Sequence, residues 1–228
     1  MTSRRAFETQ YNLSGPDSIA ARIARRQRRK MFRAFLDVGA ASGTILDIGV
    51  TSDRSYDHSN YLEAWHERPD AITTVGLDAG AASHPALSRS VFAAADGRAL
   101  PFADNSFDYV HASAVIEHVG DRQRQAALLA EAYRVARRAA FLTTPNRWFP
   151  VELHTTLPLV HWLPPRRFRA LLAATGRGFF ADEDNLNLLT AKELHAMARA
   201  VAAPNKIAVR RIRLGGWTSN LALILPKD

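Results

Sequence analysis

Gly43-Thr44-Ile45-Leu46-Asp47-Ile48-Gly49-Val50 is the stretch on which the fold turns. β-Branched residues and Leu dominate it, which fits a strand covered on both faces. Asp47 reads as the strand's end, and Gly49 gives a tight turn where backbone can approach a ligand closely. In a doubly wound sheet such strand ends open onto a crevice. Two further segments repeat the pattern. Thr73-Thr74-Val75-Gly76-Leu77-Asp78 ends in an acid placed to accept hydrogen bonds from a ribose diol. Val91-Phe92-Ala93-Ala94-Ala95-Asp96-Gly97 ends the same way. Three apolar strands closed by Asp line one side of a nucleoside pocket.

Outward from this stretch the chain alternates strand and helix. Asp17 or Ser18 caps a helix running to about Leu36, with Ile19, Ile23, Met31 and Phe35 as its apolar stripe. Ser59 or Asn60 opens a short helix that Pro69-Asp70 ends. Phe107–Ser113 reads as strand four and Ala139–Thr144 as strand five, with a helix over Asp121–Arg138 between them. Thr190-Ala191-Lys192-Glu193 is a capping-box pattern. Ile207–Leu214 and Leu221–Leu225 read as two last strands joined at Gly215-Gly216. Such alternation implies a doubly wound α/β sheet with parallel strands and right-handed crossovers.

The length of 228 residues suits one domain, 1–228. It carries a basic helical extension over 1–42 and a Pro- and aromatic-rich insert over 145–165. With no Cys, the chain has no disulfide, thiolate metal site or Cys nucleophile. No apolar run approaches the ~18 residues that span a bilayer, and no signal core follows Met1, so a cytoplasmic location is the default expectation. The formal net charge is +8. Acids and bases are mixed along most of the chain, which fits solvated helix faces. The exception is Arg22–Arg33, a run of seven basic residues without an acid (Arg22, Arg25, Arg26, Arg28, Arg29, Lys30 and Arg33). That run is the candidate for peripheral contact with anionic membrane, or for nucleic acid.

The run Asp96-Gly97-Arg98-Ala99-Leu100-Pro101-Phe102-Ala103-Asp104-Asn105-Ser106-Phe107-Asp108-Tyr109-Val110, followed by Ser113-Ala114-Val115-Ile116-Glu117-His118-Val119, carries a family resemblance. It resembles the class I S-adenosylmethionine-dependent methyltransferases, in their small-molecule and lipid-type branch. The resemblance implies a Rossmann-like seven-stranded sheet of order 3-2-1-4-5-7-6, the last strand antiparallel, with helices on both faces. It implies S-adenosylmethionine as cofactor. Asp47, Gly49 and Thr51 would then attend the methionine end and Asp78 the ribose. Asp96 and Gly97 would attend the adenine, and Ser113 the methionine portion. The sequence departs from the family's DxGxGxG pattern, because Val50-Thr51-Ser52-Asp53 follows Gly49. That loop needs a different shape. A nicotinamide enzyme wants G-x-G-x-x-G at the same turn and a P-loop enzyme wants Gly-Lys-Ser/Thr, and both patterns are missing.

Methyl transfer from a sulfonium needs an aligned acceptor and, for a hydroxyl, a general base. Glu117 and His118 follow strand four. Asn146, Glu152 and His154 follow strand five. His118 and His154 are the preferred bases, and His111 reads as a packed strand residue. The helical H-E-x-x-H spacing is missing, so no metal is expected. No Asn/Asp-Pro-Pro-aromatic motif follows strand four, so an RNA substrate rests on the basic helix alone. The insert suits a small-molecule, glycan or lipid-linked acceptor. The rival from another class is a non-catalytic binding protein that kept the fold.

Overall fold

A computed structural model describes residues 18–56 and 58–227. The Asp17 cap and the start of the 1–42 extension fall outside them. The strands are β1 Ile45–Ile48, β2 Ile72–Gly76, β3 Val91–Ala94, β4 Phe107–Ser113, β5 Ala136–Pro145, β6 Ala208–Leu214 and β7 Trp217–Pro226. They form one sheet of order β3-β2-β1-β4-β5-β7-β6. Pairs from β3 through β5 are parallel, and β7 runs antiparallel to both β5 and β6. This is the order the family resemblance implies. β1 lies inside it, between β2 and β4, where the order of strands reverses.

Strand parity divides the core into two layers. Leu46 and Ile48 join Val75, Val110 and Leu142 against a helix α3, Arg122–Val135, through Leu128 and Leu129. Ile45 faces the other way. It packs with Ile72, Tyr109 and Phe141 against α1, Ile19–Phe35, and α2, Tyr61–Trp65. Each such side chain, fully buried, stabilises the fold by about 1.5–3 kcal/mol. Three more α-helices follow among the described residues, α4 Pro165–Ala174, α5 Gly178–Ala181 and α6 Ala191–Ala198.

Two caps close as their residue types demand, while Asn60 at the start of α2 makes no capping hydrogen bond. Ser18 Oγ accepts from Ala21 N at 3.1 Å at the start of α1, and both limbs of the Thr190–Glu193 capping box close at α6. Several boundaries differ, β7 most, since it begins at Trp217 rather than Leu221. β1 is shorter than Gly43–Gly49 at both ends, because Thr44 turns its N–H to the Asp108 carboxylate. β2 stops at Gly76, two residues before Asp78. α3 ends at Val135, three residues early, and the chain enters β5 at once. Arg137 and Arg138, read as helical, instead flank Asp108, at 2.5 and 3.1 Å. A register shift between Phe107 and Tyr109 accommodates them.

α1 is packed beside the sheet through Met31, Ala34 and Phe35, while Arg22, Arg25, Arg26, Arg29 and Arg33 face outward. Lys30 Nζ donates to Arg213 O and Arg28 Nη1 to His58 O, so part of the basic run serves the fold. Among the described residues no helix is long and apolar enough to cross a membrane.

Candidate active site

A cleft of about 400 Å³ opens at the carboxyl ends of the parallel strands. Each strand-end loop contributes: Gly49, Thr51 and Asp53 after β1, Leu77 and Asp78 after β2, Asp96 and Gly97 after β3. Ser113, Val115 and His118 come from the β4 end, and His154 from the loop after β5. Two glycines set its floor. Gly49 has φ +92°, and a Cβ on it would sit 2.3 Å from Val115 Cγ2. A Cβ on Gly97 would strike Ile48 and Leu128 at 2.6 and 2.8 Å. Ala114, directly after β4, holds φ +56°, a left-handed conformation costly for a residue with a Cβ. Its N–H donates to Thr143 O at 2.9 Å, which fixes it there.

The carboxylates of this half are already engaged. Asp78 caps the turn behind it by accepting from Gly80 N at 2.9 Å, and Ser52 Oγ donates to its other oxygen. Asp96 receives the Arg98 guanidinium at 2.6 Å and the Arg98 N–H at 2.9 Å. That fork holds the Asp96 carboxyl below its ordinary range. Ser113 Oγ pairs with Thr143 Oγ1 at 2.9 Å. The loop after Gly49 gets its shape from a side chain rather than from glycines. Asn60 Oδ1 accepts from Thr51 N at 3.0 Å and Asn60 Nδ2 donates to Thr51 O at 2.8 Å.

Asp47 lies elsewhere. It is inside β1, not beyond it, and parity sends its side chain to the same face as Ile45, onto the α1–α2 layer. It does not line the cleft. Its Oδ1 takes a hydrogen bond of 2.6 Å from His111 Nδ1, and His111 Nε2 faces the Tyr61 hydroxyl at 2.9 Å. Burial pushes the Asp47 carboxyl up to about 7 and the His111 imidazole down to about 4. Glu63, also buried, is pushed well up by burial and by Asp47 beside it. His111 is thus the packed strand residue its position suggested.

The β4 and β5 loops bring a second constellation together. His118 Nε2 lies 3.1 Å from His154 Nε2. His118 Nδ1 donates to Asn185 O at 2.7 Å, and His154 Nδ1 donates to Glu152 Oε1 at 2.7 Å. Glu152 is buried and also accepts from the N–H groups of His154 and Thr155. Glu117 is fully buried behind His118. Its Oε2 accepts from Thr144 Oγ1 at 2.9 Å. Its Oε1 has no hydrogen-bond partner and lies 3.8 Å from His118 Nε2. One ligand atom from each of Glu117, His118 and His154 falls within 4.8 Å of the others.

Electrostatics separate the members. Burial pushes Glu117 up to about 7. Burial, aided by His154, pushes His118 down to about 3. Burial works against the His154 cation, but the Glu152 carboxylate outweighs it and holds His154 above its ordinary value. Burial would likewise raise Glu152, yet His154 holds it down to about 2.

Asn146 does not join this group. Its Nδ2 donates to Thr218 O at 2.9 Å and its backbone N–H to Ser219 O, so it is tied to β7 at the edge of the insert. Sequence reasoning missed Thr144, Asn185, Arg98 and Asn60. Arg98 follows its partner by two residues and was legible. Asn185 is 67 residues from His118 and contributes only a carbonyl, so no side-chain signal marks it.

A methyltransferase-domain family model matches residues 36–143. A demethylmenaquinone methyltransferase from Roseiflexus sp. (strain RS-1) is 32% identical over 182 residues, covering 77% of this chain and 68% of that protein. Among solved structures, magnesium protoporphyrin IX methyltransferase from Synechocystis PCC 6803 with bound SAH aligns at a TM-score of 0.60. That match has 11% identity and covers 100% of this chain and 95% of the other. The 1,6-didemethyltoxoflavin-N1-methyltransferase of Burkholderia thailandensis aligns at 0.55 with 15% identity, covering 88% and 78%. At these identities the structural likeness speaks for the fold.

Proposed function

This chain belongs to the S-adenosylmethionine-dependent methyltransferases, and from that premise we propose that it methylates a hydroxyl-bearing small molecule whose ring lies against the His118–His154 pair. The observation that carries this reading is the convergence of two imidazoles on the mouth of the cofactor cleft, 3.1 Å apart. When bound, S-adenosylmethionine supplies an electrophilic methyl group on a sulfonium.

The cleft suits that cofactor. Gly49 and Gly97 keep its floor free of side chains where a Cβ would collide. Val50, Ala95 and Val119 give an apolar wall for a flat base, and Leu77, 69% exposed, stands at the rim. Asp78 is the acceptor for the ribose diol, with Ser52 shifting aside. Asp96 stands at the base edge, with Arg98 limiting which of its oxygens can accept. Thr51 and Ser113 flank the methionine portion. Asp47 contributes through β1 and not by contact.

At the other end, the Glu152 carboxylate orients His154, and the Asn185 carbonyl orients His118. The Nε2 atoms, paired with each other at the cleft, are then the ones that meet an acceptor proton. The apolar surface of the insert, with Leu153 beside His154, favours a ring with an apolar substituent over a glycan. The relative's name, demethylmenaquinone methyltransferase, supports the same choice of a quinol-like or lipid-linked ring. The basic face of α1 offers a peripheral approach to the anionic surface where such a molecule would reside.

The test begins with calorimetry of S-adenosylmethionine on the full chain. Release of S-adenosylhomocysteine is then followed across phenols, hydroquinones and short-chain isoprenyl quinols. Saturable cofactor binding with turnover on one of these classes is expected. Cofactor binding without turnover on any of them would remove the hydroxyl-ring reading.

A further inference from the structure

We propose that Glu117, His118 and His154 form a binding site for one divalent transition-metal cation at the acceptor end of the cleft. Sequence spacing argued against a metal, because a helical H-E-x-x-H is missing. The ligands come instead from two loops that the pairing of β4 with β5 brings side by side.

The tautomers carry the argument. A backbone carbonyl only accepts, so His118 Nδ1 carries the proton it donates to Asn185 O. Glu152 is an anion, and His154 Nδ1 donates to it. Two neutral rings held this way turn their Nε2 lone pairs toward each other at 3.1 Å. Such a pair is attractive only with a cation between or beside them, either a proton or a metal. A zinc-like ion bonds imidazole nitrogen at ~2.0–2.1 Å, which sets two ligand nitrogens ~2.8–3.4 Å apart at octahedral to tetrahedral angles. The observed separation falls in that range.

The third ligand decides between proton and metal. A shared proton uses two nitrogens and leaves Glu117 unexplained. Glu117 is fully buried, its Oε1 lacks a hydrogen bond and lies 3.8 Å from His118 Nε2, and one ligand atom from each of the three residues falls inside a 4.8 Å group. Thr144 holds the other oxygen and so aims this one. Buried polar atoms of this kind need an account, and a divalent ion gives one. Glu152 and Asn185 complete the arrangement, since metal-bound imidazoles donate their other N–H to a carboxylate or carbonyl. The two carboxylates, Glu117 and Glu152, balance a charge of two. Two imidazoles and one carboxylate suit zinc, cobalt or iron better than magnesium or calcium. His118 and His154 line the cleft while Glu117 lies behind them, so the remaining coordination positions face the acceptor. The base role proposed above belongs to the metal-free pair, since with the ion bound both Nε2 atoms are ligands; the metal binding does not rest on that function.

The measurement uses the full chain after chelator treatment, without cofactor or acceptor. Titration with Co²⁺ is followed by visible absorption, and Zn²⁺ by calorimetry. One equivalent should bind, with cobalt ligand-field bands that zinc abolishes. His154→Ala should lose the bands. Glu152→Gln, which keeps all three ligands, should weaken zinc by about 10–100-fold. Circular dichroism of each variant separates lost binding from lost fold, and the parent's cobalt spectrum needs no variant. No stoichiometric binding by the parent would leave the shared proton as the correct account, and unchanged binding in His154→Ala would place the ion elsewhere. S-adenosylmethionine affinity, measured alongside, tells failure of this site from failure of the enzyme reading.

Discussion

The two halves of the cleft solve the burial of charge in opposite ways. On the cofactor side, at the tips of β1 to β3, Asp78 and Asp96 stay partly exposed and are met by neighbours two residues away, Gly80 and Arg98. On the acceptor side, Glu117 and Glu152 are buried, Glu117 met by Thr144 from the next strand and Glu152 by His154 and Thr155 of its own loop. The first half is a rim that a ligand can displace. The second is a preset cluster whose ionisation and geometry are fixed before anything binds. On the function proposed above, recognition of the cofactor rests on backbone and exposed acids, and chemistry rests on buried pairs.

The sharpest way to break this contrast is His154→Ala. If the cluster serves chemistry alone, turnover falls by about 10²–10⁴-fold while cofactor affinity holds. Calorimetry and single-turnover rates on the same preparation check both halves of that statement. A parallel fall in cofactor affinity would merge the two regions into one.

Asp47 belongs to neither half, and its burial sets how it titrates. Its folded-state pKa of about 7 lies above the unfolded value of 3.8. The stability it contributes is whole below about pH 4 and is lost as pH rises through about 7. Asn does not titrate, so Asp47→Asn should gain on the parent across that window, by an amount on the order of 3 kcal/mol. Urea midpoints at about pH 4.5 and about pH 7.5 measure it. A gain on the acid side would reverse the assignment. Cofactor affinity should be unmoved in this variant, unlike in the next.

Asp78→Ala removes the rim acid. The expected cost is about 1–3 kcal/mol of cofactor affinity, with little change in the turnover rate at saturation. Equal affinity for parent and variant would take Asp78 out of the cofactor site. The smallest expected effect is at the outer face of α1. Arg22→Ala with Arg26→Ala should shift stability by less than about 0.5 kcal/mol, yet reduce sedimentation with anionic vesicles at low salt. Undiminished sedimentation would assign membrane contact, if any, to another surface.

Legibility in the sequence follows the same division. Apolar strands alternating with helices gave the sheet order through the family resemblance, and strand-end acids marked the rim because they are local to their strands. Asp47 misled because it lies inside β1, where alternation turns its side chain to the α1–α2 layer and away from the crevice. His118 and His154 were named, since each follows a strand that opens on the crevice. Their partnership was not legible. It depends on β4 lying beside β5, with Ser113 opposite Thr143, and on a carbonyl at Asn185. A metal set drawn from two loops 36 residues apart has no spacing signature.

The loop after Gly49 has a consequence for the thermodynamics of binding. Glycines in the usual pattern leave a phosphate- or nucleoside-facing turn with wide backbone freedom, to be lost when a ligand arrives. Here Asn60 clamps Thr51 from both sides, and Arg28 on α1 holds the same loop at His58. The ordering occurs during folding. Cofactor association should thus carry a small conformational-entropy penalty, and loosening the clamp with Asn60→Ala should appear first in the entropy of binding, ahead of its free energy.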